Sequence, residues 1–282
     1  MALVSASWLL SKLDDPNVLV IDTRFTLGNP QAGLRAYHLG HIPGANFLDL
    51  ERDLSAPVHP NRVGGRHPLP AVELLAATLS QIGISNRHHV IAYDDPSTGA
   101  AFCATHLWWM LRYLGHDAIS VLDGGLPAWL AAGGSLTTEI PTRVPATFIA
   151  KPRAEMLVDA NYVQNRAQNT VLIDSRAPER FRGDVEPLDW KAGHIPGAIN
   201  LNWASAMEQG HWKSPEAQQS RISDPIKGNA EIVFYCGSGI SATANLFALE
   251  LAGVKGAKLY AGSWSDWISD PLHDIATGEP KS

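Results

Sequence analysis

Two cysteines in 282 residues, Cys103 and Cys236, are too few for a disulfide framework and suit a reducing compartment. No long basic run occurs, and Lys and Arg (22) are outnumbered by Asp and Glu (28), a formal charge of −6. Nucleic acid and anionic membrane are therefore not the expected partners. The longest apolar stretches are interrupted by Asp, Gly or Arg, so no transmembrane span is expected. The start, MALVSASWLLSKLDD, has no basic residues ahead of its apolar ones; it reads as a short helix capped near Ser5 or Ser7, not a signal peptide, and the expected location is the cytoplasm. Eleven histidines are scattered without metal-ligand spacing, which predicts no metal, and no cofactor motif is present.

What is present is a chain that echoes itself. VLVIDTRF (18–25) returns as TVLIDSRAPERF (170–181), GHIPGAN (40–46) as GHIPGAIN (193–200), HVIAYDD (89–95) as EIVFYCG (231–237), and VLDGGLPAW (121–129) as LYAGSWSDW (259–267). The first two pairs lie about 150 residues apart, the spacing of a duplicated domain. The predicted order in the first half is a helix from Trp8 to Leu13, a strand over Val18–Asp22, and a loop-rich stretch from Thr23 to Gly40. A long surface loop (51–70) follows, then a helix that Pro70 opens, a strand over His88–Asp95, and a helix from Phe102 to Leu114. A Gly/Thr/Pro-rich passage separates the halves, giving domains at 1–138 and 153–282 with a linker at 139–152. Strands alternating with helices argue for an α/β fold, one parallel sheet with helices on both faces in each half.

The chemistry concentrates in EIVFYCGSGISATANLFALELAG (231–253). An apolar, β-branched strand delivers Cys236 to a turn, Gly237-Ser238-Gly239-Ile240-Ser241, and an Ala/Leu-rich helix follows from Ala242 to Leu251. Open α/β sheets place ligands at the carboxyl ends of their strands. The glycines let several N–H groups converge on one atom, and the helix dipole behind them favours an anion and lowers a thiol's pKa. The loop thus reads as a holder of sulfur, as thiolate or persulfide. The matching place in the first half is Asp94, in DDPSTGA, so one copy carries the nucleophile and the other does not.

Together, the DTR and DSR strand ends, the paired GHIPGA turns, LDGG, AGSW and the CGSGIS loop resemble the two-domain sulfurtransferases of the rhodanese superfamily. The resemblance implies tandem rhodanese-like domains, with Cys236 carrying sulfur as a persulfide. The loop is most similar to the mercaptopyruvate type, Cys-Gly-Ser-Gly-Val-Thr; thiosulfate types place Arg and Lys after the cysteine, and a dianion gains from such cations. The implied substrate-binding residues are Gly237, Ser238, Gly239, Ile240, Ser241 and Arg180. The implied relay is Ser238, His67 and, where the family has Asp, Glu51. The family's second carboxylate-binding arginine falls on Leu188 or Asp189, which leaves Arg182 or Lys191 as substitutes.

The expected reaction moves sulfane sulfur from 3-mercaptopyruvate, or alternatively thiosulfate, to cyanide, a small thiol or a protein thiol. A persulfide carrier with little small-molecule turnover is the second reading. A cysteine phosphatase would need an arginine where Ala242 stands. His41, His194 and the Asp22–Arg24 and Asp174–Arg176 pairs occur in both halves and are expected to be structural. Cys103 is expected to be buried filler, and Trp108, Trp109, Trp129 and Trp264 to fill the core.

Overall fold

A computed structural model of the protein describes residues 1–98, 102–228 and 230–279; the end of DDPSTGA lies outside the described residues. The chain forms two compact units. One comprises Met1–Ala56, Pro70–Arg153 and Gln209–Trp212; the other comprises Pro57–Leu69, Ala154–Glu208 and Lys213–Ser282.

In the first unit β1 (Leu3–Val4), β2 (Val18–Asp22), β3 (Asn46–Phe47), β4 (His89–Tyr93) and β5 (Ile119–Leu122) form one sheet in the order β1-β5-β4-β2-β3. All its pairings are parallel. In the second, β6 (Leu157–Val158), β7 (Thr170–Asp174), β8 (Ile199–Asn200), β11 (Glu231–Tyr235) and β12 (Lys258–Tyr260) repeat that order as β6-β12-β11-β7-β8, again parallel. The short strands β9 (Met207–Glu208) and β10 (His211–Trp212) stand outside both sheets. Each sheet is thus built from the same strand–crossover pattern, as the internal repeat requires.

The helices are α1 (Ala6–Lys12), α2 (Ala32–Leu39), α3 (Val72–Gln81), α4 (Cys103–Tyr113) and α5 (Gly125–Ala131) in the first unit. In the second they are α6 (Ala160–Gln164), α7 (Pro178–Arg182), α8 (Pro215–Ile226), α9 (Ala242–Leu251) and α10 (Ser263–Trp267). Ser5 caps α1 by accepting the Trp8 N–H at 3.1 Å. Helices α4 and α9 are buried over most of their length, Cys103–Leu111 and Ala242–Leu249, and both are apolar around most of their circumference. The core of the second unit gathers Val163, Leu172, Phe181, Ile195, Val233, Tyr235 and Trp264, and that of the first gathers Leu9, Ile42, Ile91, Tyr93, Leu122 and Trp129. No helix among the described residues is long and apolar enough to cross a membrane.

Two local expectations fail. Helix α2 lies inside the stretch expected to be loop-rich. A Cβ on its Gly33 would sit 1.9 Å from the Arg24 carbonyl oxygen, so glycine is present for close packing. Pro70 does not open α3; Ala71 stays extended as the cap, and its carbonyl takes the Leu75 N–H at 3.0 Å.

The paired motifs at the strand ends are structural in both units. Arg24 closes on Asp22 at 2.7 Å, and Arg176 on Asp174 at 2.6 Å, all four side chains being buried. His41 stacks on Tyr37 and bonds the Tyr37 carbonyl; His194 stacks on Phe181 and bonds the Phe181 carbonyl. Cys103 is fully buried, and that burial pushes its thiol well above the usual range.

Candidate active site

The register of β11 against β7 pairs Tyr235 with Asp174, so Cys236 is the first residue past the carboxyl end of a central strand. Three contacts with the turn that opens α10 fix it there. The Cys236 N–H donates to Ser263 Oγ (3.0 Å), its carbonyl accepts from the Trp264 N–H (3.0 Å), and the Gly237 carbonyl accepts from the Ser265 N–H (3.0 Å). Ser263 has φ +55°, a left-handed backbone uncommon for a residue with a side chain, and its hydroxyl donates to the Tyr260 carbonyl. Gly239 has φ +82°, and a Cβ on it would lie 2.2 Å from the Ala261 carbonyl oxygen.

With its first carbonyls committed, the loop keeps its donors. The N–H groups of residues 237–242 have no hydrogen-bond partner among the described residues. They lead into the N-terminus of α9, where Ser241 is the cap residue and makes no side-chain cap bond. Cys236 itself is 1% exposed, at the foot of this set of donors. Such a ring stabilises an anion or a polarisable sulfur.

His67 reaches this loop: its Nδ1 lies 2.8 Å from Ser238 Oγ. The segment carrying it is held from both sides. The Gly64 N–H donates to Asp266 Oδ1 (2.7 Å) and the Arg66 N–H to Ser265 Oγ (3.0 Å). Gly65, with φ +83°, approaches so closely that a Cβ would stand 2.5 Å from the Gly262 carbonyl oxygen. Burial, and then the neighbouring Arg66 charge, push His67 down to about 4, so its imidazole is neutral at physiological pH.

Two guanidinium groups approach Gly237. A Cβ built there would meet Arg66 Nη2 at 2.8 Å, and Arg180 Nη2 and Nη1 at 3.4 and 3.5 Å. Arg180 is gripped along one edge by the buried Glu186, at 2.7 and 3.1 Å, which leaves Nη1 without a partner among the described residues. Arg66 Nε lies 2.9 Å from Asp189 Oδ1, an ion pair that lacks the alignment of a hydrogen bond. Asp189 also stands 3.5 Å from Arg180 Nη2; burial raises its carboxyl while Arg66 pulls it back down. Glu186 further pairs with Arg176 at 3.2 Å, so a chain of alternating charges runs from the strand end to the loop.

Of the residues singled out in the sequence, Cys236, Ser238, His67 and Arg180 therefore meet within one unit. Glu51 belongs to the other unit, exposed in a turn where its N–H donates to Asp49 Oδ1. Of the two substitutes considered for the second arginine, Arg182 pairs with Asp184 at 2.8 Å, and Lys191 lies over the Trp190 ring. Arg66, Ser263 and Glu186 are additions that sequence reasoning missed. Two of them carried a signal, Arg66 by its place beside His67 in GGRHPLP and Ser263 by its place in AGSW.

In the first unit the corresponding position is closed. The Asp94 carboxylate accepts the Ala104 N–H at 3.2 Å near the start of α4, where the second unit keeps its donors open. Burial raises Asp94 to about 7.

The Rhodanese-like domain matches twice, over residues 5–132 and 159–270. The chain belongs to the rhodanese family. It is 46% identical over 283 residues to a Pseudomonas aeruginosa protein named "Probable 3-mercaptopyruvate sulfurtransferase", covering 98% of each chain. It resembles the crystal structure of SseA from Escherichia coli, described as a 3-mercaptopyruvate sulfotransferase, with TM-score 0.81 and 33% identity over 93% of this chain and 98% of that one. It is also 31% identical over 296 residues to a thiosulfate sulfurtransferase from Cricetulus griseus, covering 100% of this chain and 96% of that protein. Both sheets and their parallel order agree with tandem rhodanese-like domains.

Proposed function

We propose that this enzyme is a sulfurtransferase that carries sulfane sulfur on Cys236, with 3-mercaptopyruvate as donor. The observation that carries the reading is the buried Cys236 at the foot of unpartnered N–H groups 237–242, in a family whose named relatives are sulfurtransferases. The Cys236 thiolate attacks the donor's sulfur. An S–S bond forms and the C–S bond breaks, its electron pair leaving on the methylene carbon as pyruvate enolate, which takes a proton to become pyruvate. The N–H groups of Gly237, Ser238, Gly239, Ile240 and Ser241 hold the charge on sulfur. Ser238 and the neutral His67 pass the proton. Arg180 holds the donor carboxylate, its planar fork suited to the task. Glu51 has the acid's role by family resemblance alone. The persulfide is then taken by cyanide, a small thiol or a protein thiol; two unpaired cysteines suit the reducing cytoplasm.

Thiosulfate is the second donor to consider, because the loop sequence lacks cations but Arg66 and Arg180 bring two to Gly237. Intact mass after brief mixing with each donor tests both readings, beside Cys236→Ser. One reducible sulfur gained from mercaptopyruvate, and none in the variant, is the expected result. Gain from thiosulfate alone would keep the persulfide and change the donor; gain from neither would leave Cys236 as an acceptor from protein persulfides.

A further inference from the structure

A cavity of about 660 Å³ opens at the amino ends of β2 and β4, wholly within the first unit and at the end of its sheet opposite Asp94. One wall is the stretch 142–147, part of the passage read from sequence as a linker. Three bonds fix that wall. Arg143 Nη2 donates to the Gly44 carbonyl (2.7 Å), the Ala146 N–H to the Ser80 carbonyl (2.8 Å), and the Phe148 N–H to Ser80 Oγ (3.0 Å). The facing wall carries Ser85, Asn86, Arg87 and His88.

The charges here have one sign. Arg87 and Arg143 line the cavity with no Asp or Glu beside them, in a chain whose formal charge is −6. Neither guanidinium has a carboxylate partner among the described residues, and Arg143 Nε is buried without any partner. His88 adds a further donor. It is 6% exposed, and its Nδ1 accepts the Ser85 N–H at 3.0 Å. Burial, and then the Arg87 and Arg143 charges, hold the ring below its usual range, so it is neutral and accepts at one nitrogen only. Nε2 therefore carries the proton, and it faces Arg87 Nε, another donor, at 3.5 Å. An acceptor with negative charge is what this group of donors lacks.

We propose that this cavity binds a phosphate monoester, its dianionic head held by Arg87, Arg143 and the His88 Nε2–H, and its organic body lying against Pro16, Leu19, Val144 and Pro145. Two guanidinium forks suit a tetrahedral dianion, which takes several charge-assisted bonds at once. Bare phosphate would fill only a small part of the space, whose size is that of sites for small organic ligands. The four apolar side chains give such a ligand a surface that the ion alone would not use. The site shares no residue with the Cys236 loop, so it stands apart from the sulfur chemistry.

The test is isothermal titration calorimetry of adenosine monophosphate, inorganic phosphate and adenosine into the full-length protein at one fixed ionic strength. The monophosphate should bind, phosphate more weakly, and adenosine not detectably. Arg87→Gln should weaken the monophosphate about 10- to 100-fold, as losing a charge-assisted bond does, with persulfide formation at Cys236 unchanged. Arg143→Lys keeps a donor for the Gly44 carbonyl but should also weaken binding, since a point charge cannot reproduce the fork. Circular dichroism verifies folding; should Arg143→Lys unfold, the exposed Arg87 decides alone. No binding of the monophosphate by wild type, or equal affinity in Arg87→Gln, overturns the site. Binding lost in Arg180→Met but kept in Arg87→Gln would put the anion at the Cys236 loop and overturn it equally. Adenosine as tight as its monophosphate would remove the role of the charges, and phosphate as tight would remove that of the apolar wall.

Discussion

His67 is an imidazole whose environment forbids its charge. It is neutral because its burial and the Arg66 charge both oppose protonation, which suits the proton-accepting role proposed for it beside Ser238. The folded protein holds His67 near about 4, while an unfolded chain would titrate it near its ordinary value of 6.5. Between those values the unfolded state binds the extra proton, so stability falls as pH drops from 6.5 and the loss is complete near 4. The loss amounts to about 3 kcal/mol. His67→Gln should flatten that segment of a denaturant-stability profile measured from pH 7 to 4. A slope identical to wild type would mean that His67 is open to solvent.

At the scale of elements, the strand–loop–helix at β11 and α9 depends on one glycine more than on the others. Gly239 needs a left-handed backbone and a hydrogen-sized side chain against the Ala261 carbonyl. Gly239→Ala should cost at least about 1–2 kcal/mol from the backbone alone and more from the contact with Ala261. It should also slow persulfide formation by displacing the donor ring; an unchanged denaturation midpoint and rate would show a loop free to shift. This element was the most legible part of the sequence. The apolar, β-branched run of β11 and the Ala/Leu run of α9 each speak for one kind of element, and the helix bounds Ala242–Leu251 agree with the reading. What escaped was set by tertiary contacts. The close approach of Gly33 in α2 to the Arg24 carbonyl, nine positions back in the chain, leaves no local trace. The contacts of Arg66 and Ser263 were unreadable for the same cause: their partners Asp189 and Cys236 are remote in sequence, and neither residue type is unusual for a loop. Local pattern reports periodicity and turn chemistry, not who meets whom.

For the whole molecule, the duplication was plain in the repeated motifs, and both sheets repeat one strand order. The grouping of residues was not. Pro57–Leu69 precedes α3, β4, α4, β5 and α5 of the first unit in the chain but packs with the second. A chain beginning at Ala154 would keep Cys236 and all five strands of its sheet, yet lose the bonds from His67 to Ser238, Gly64 to Asp266 and Arg66 to Ser265. Its persulfide formation, followed by intact mass with folding checked by circular dichroism, should be at least about tenfold slower than that of the full chain, the scale of lost proton transfer. Equal rates would show that the segment adds nothing to the chemistry.

The placement of Pro57–Leu69 also bears on descent. A gene that doubles usually keeps the freedom to discard one copy, above all a copy that has lost its nucleophile. Here the half with Asp94 in the cysteine's place has lent a stretch of its own backbone, with His67 on it, to the half that kept Cys236. No single cut can undo that exchange, and so the silent copy is inherited with the active one.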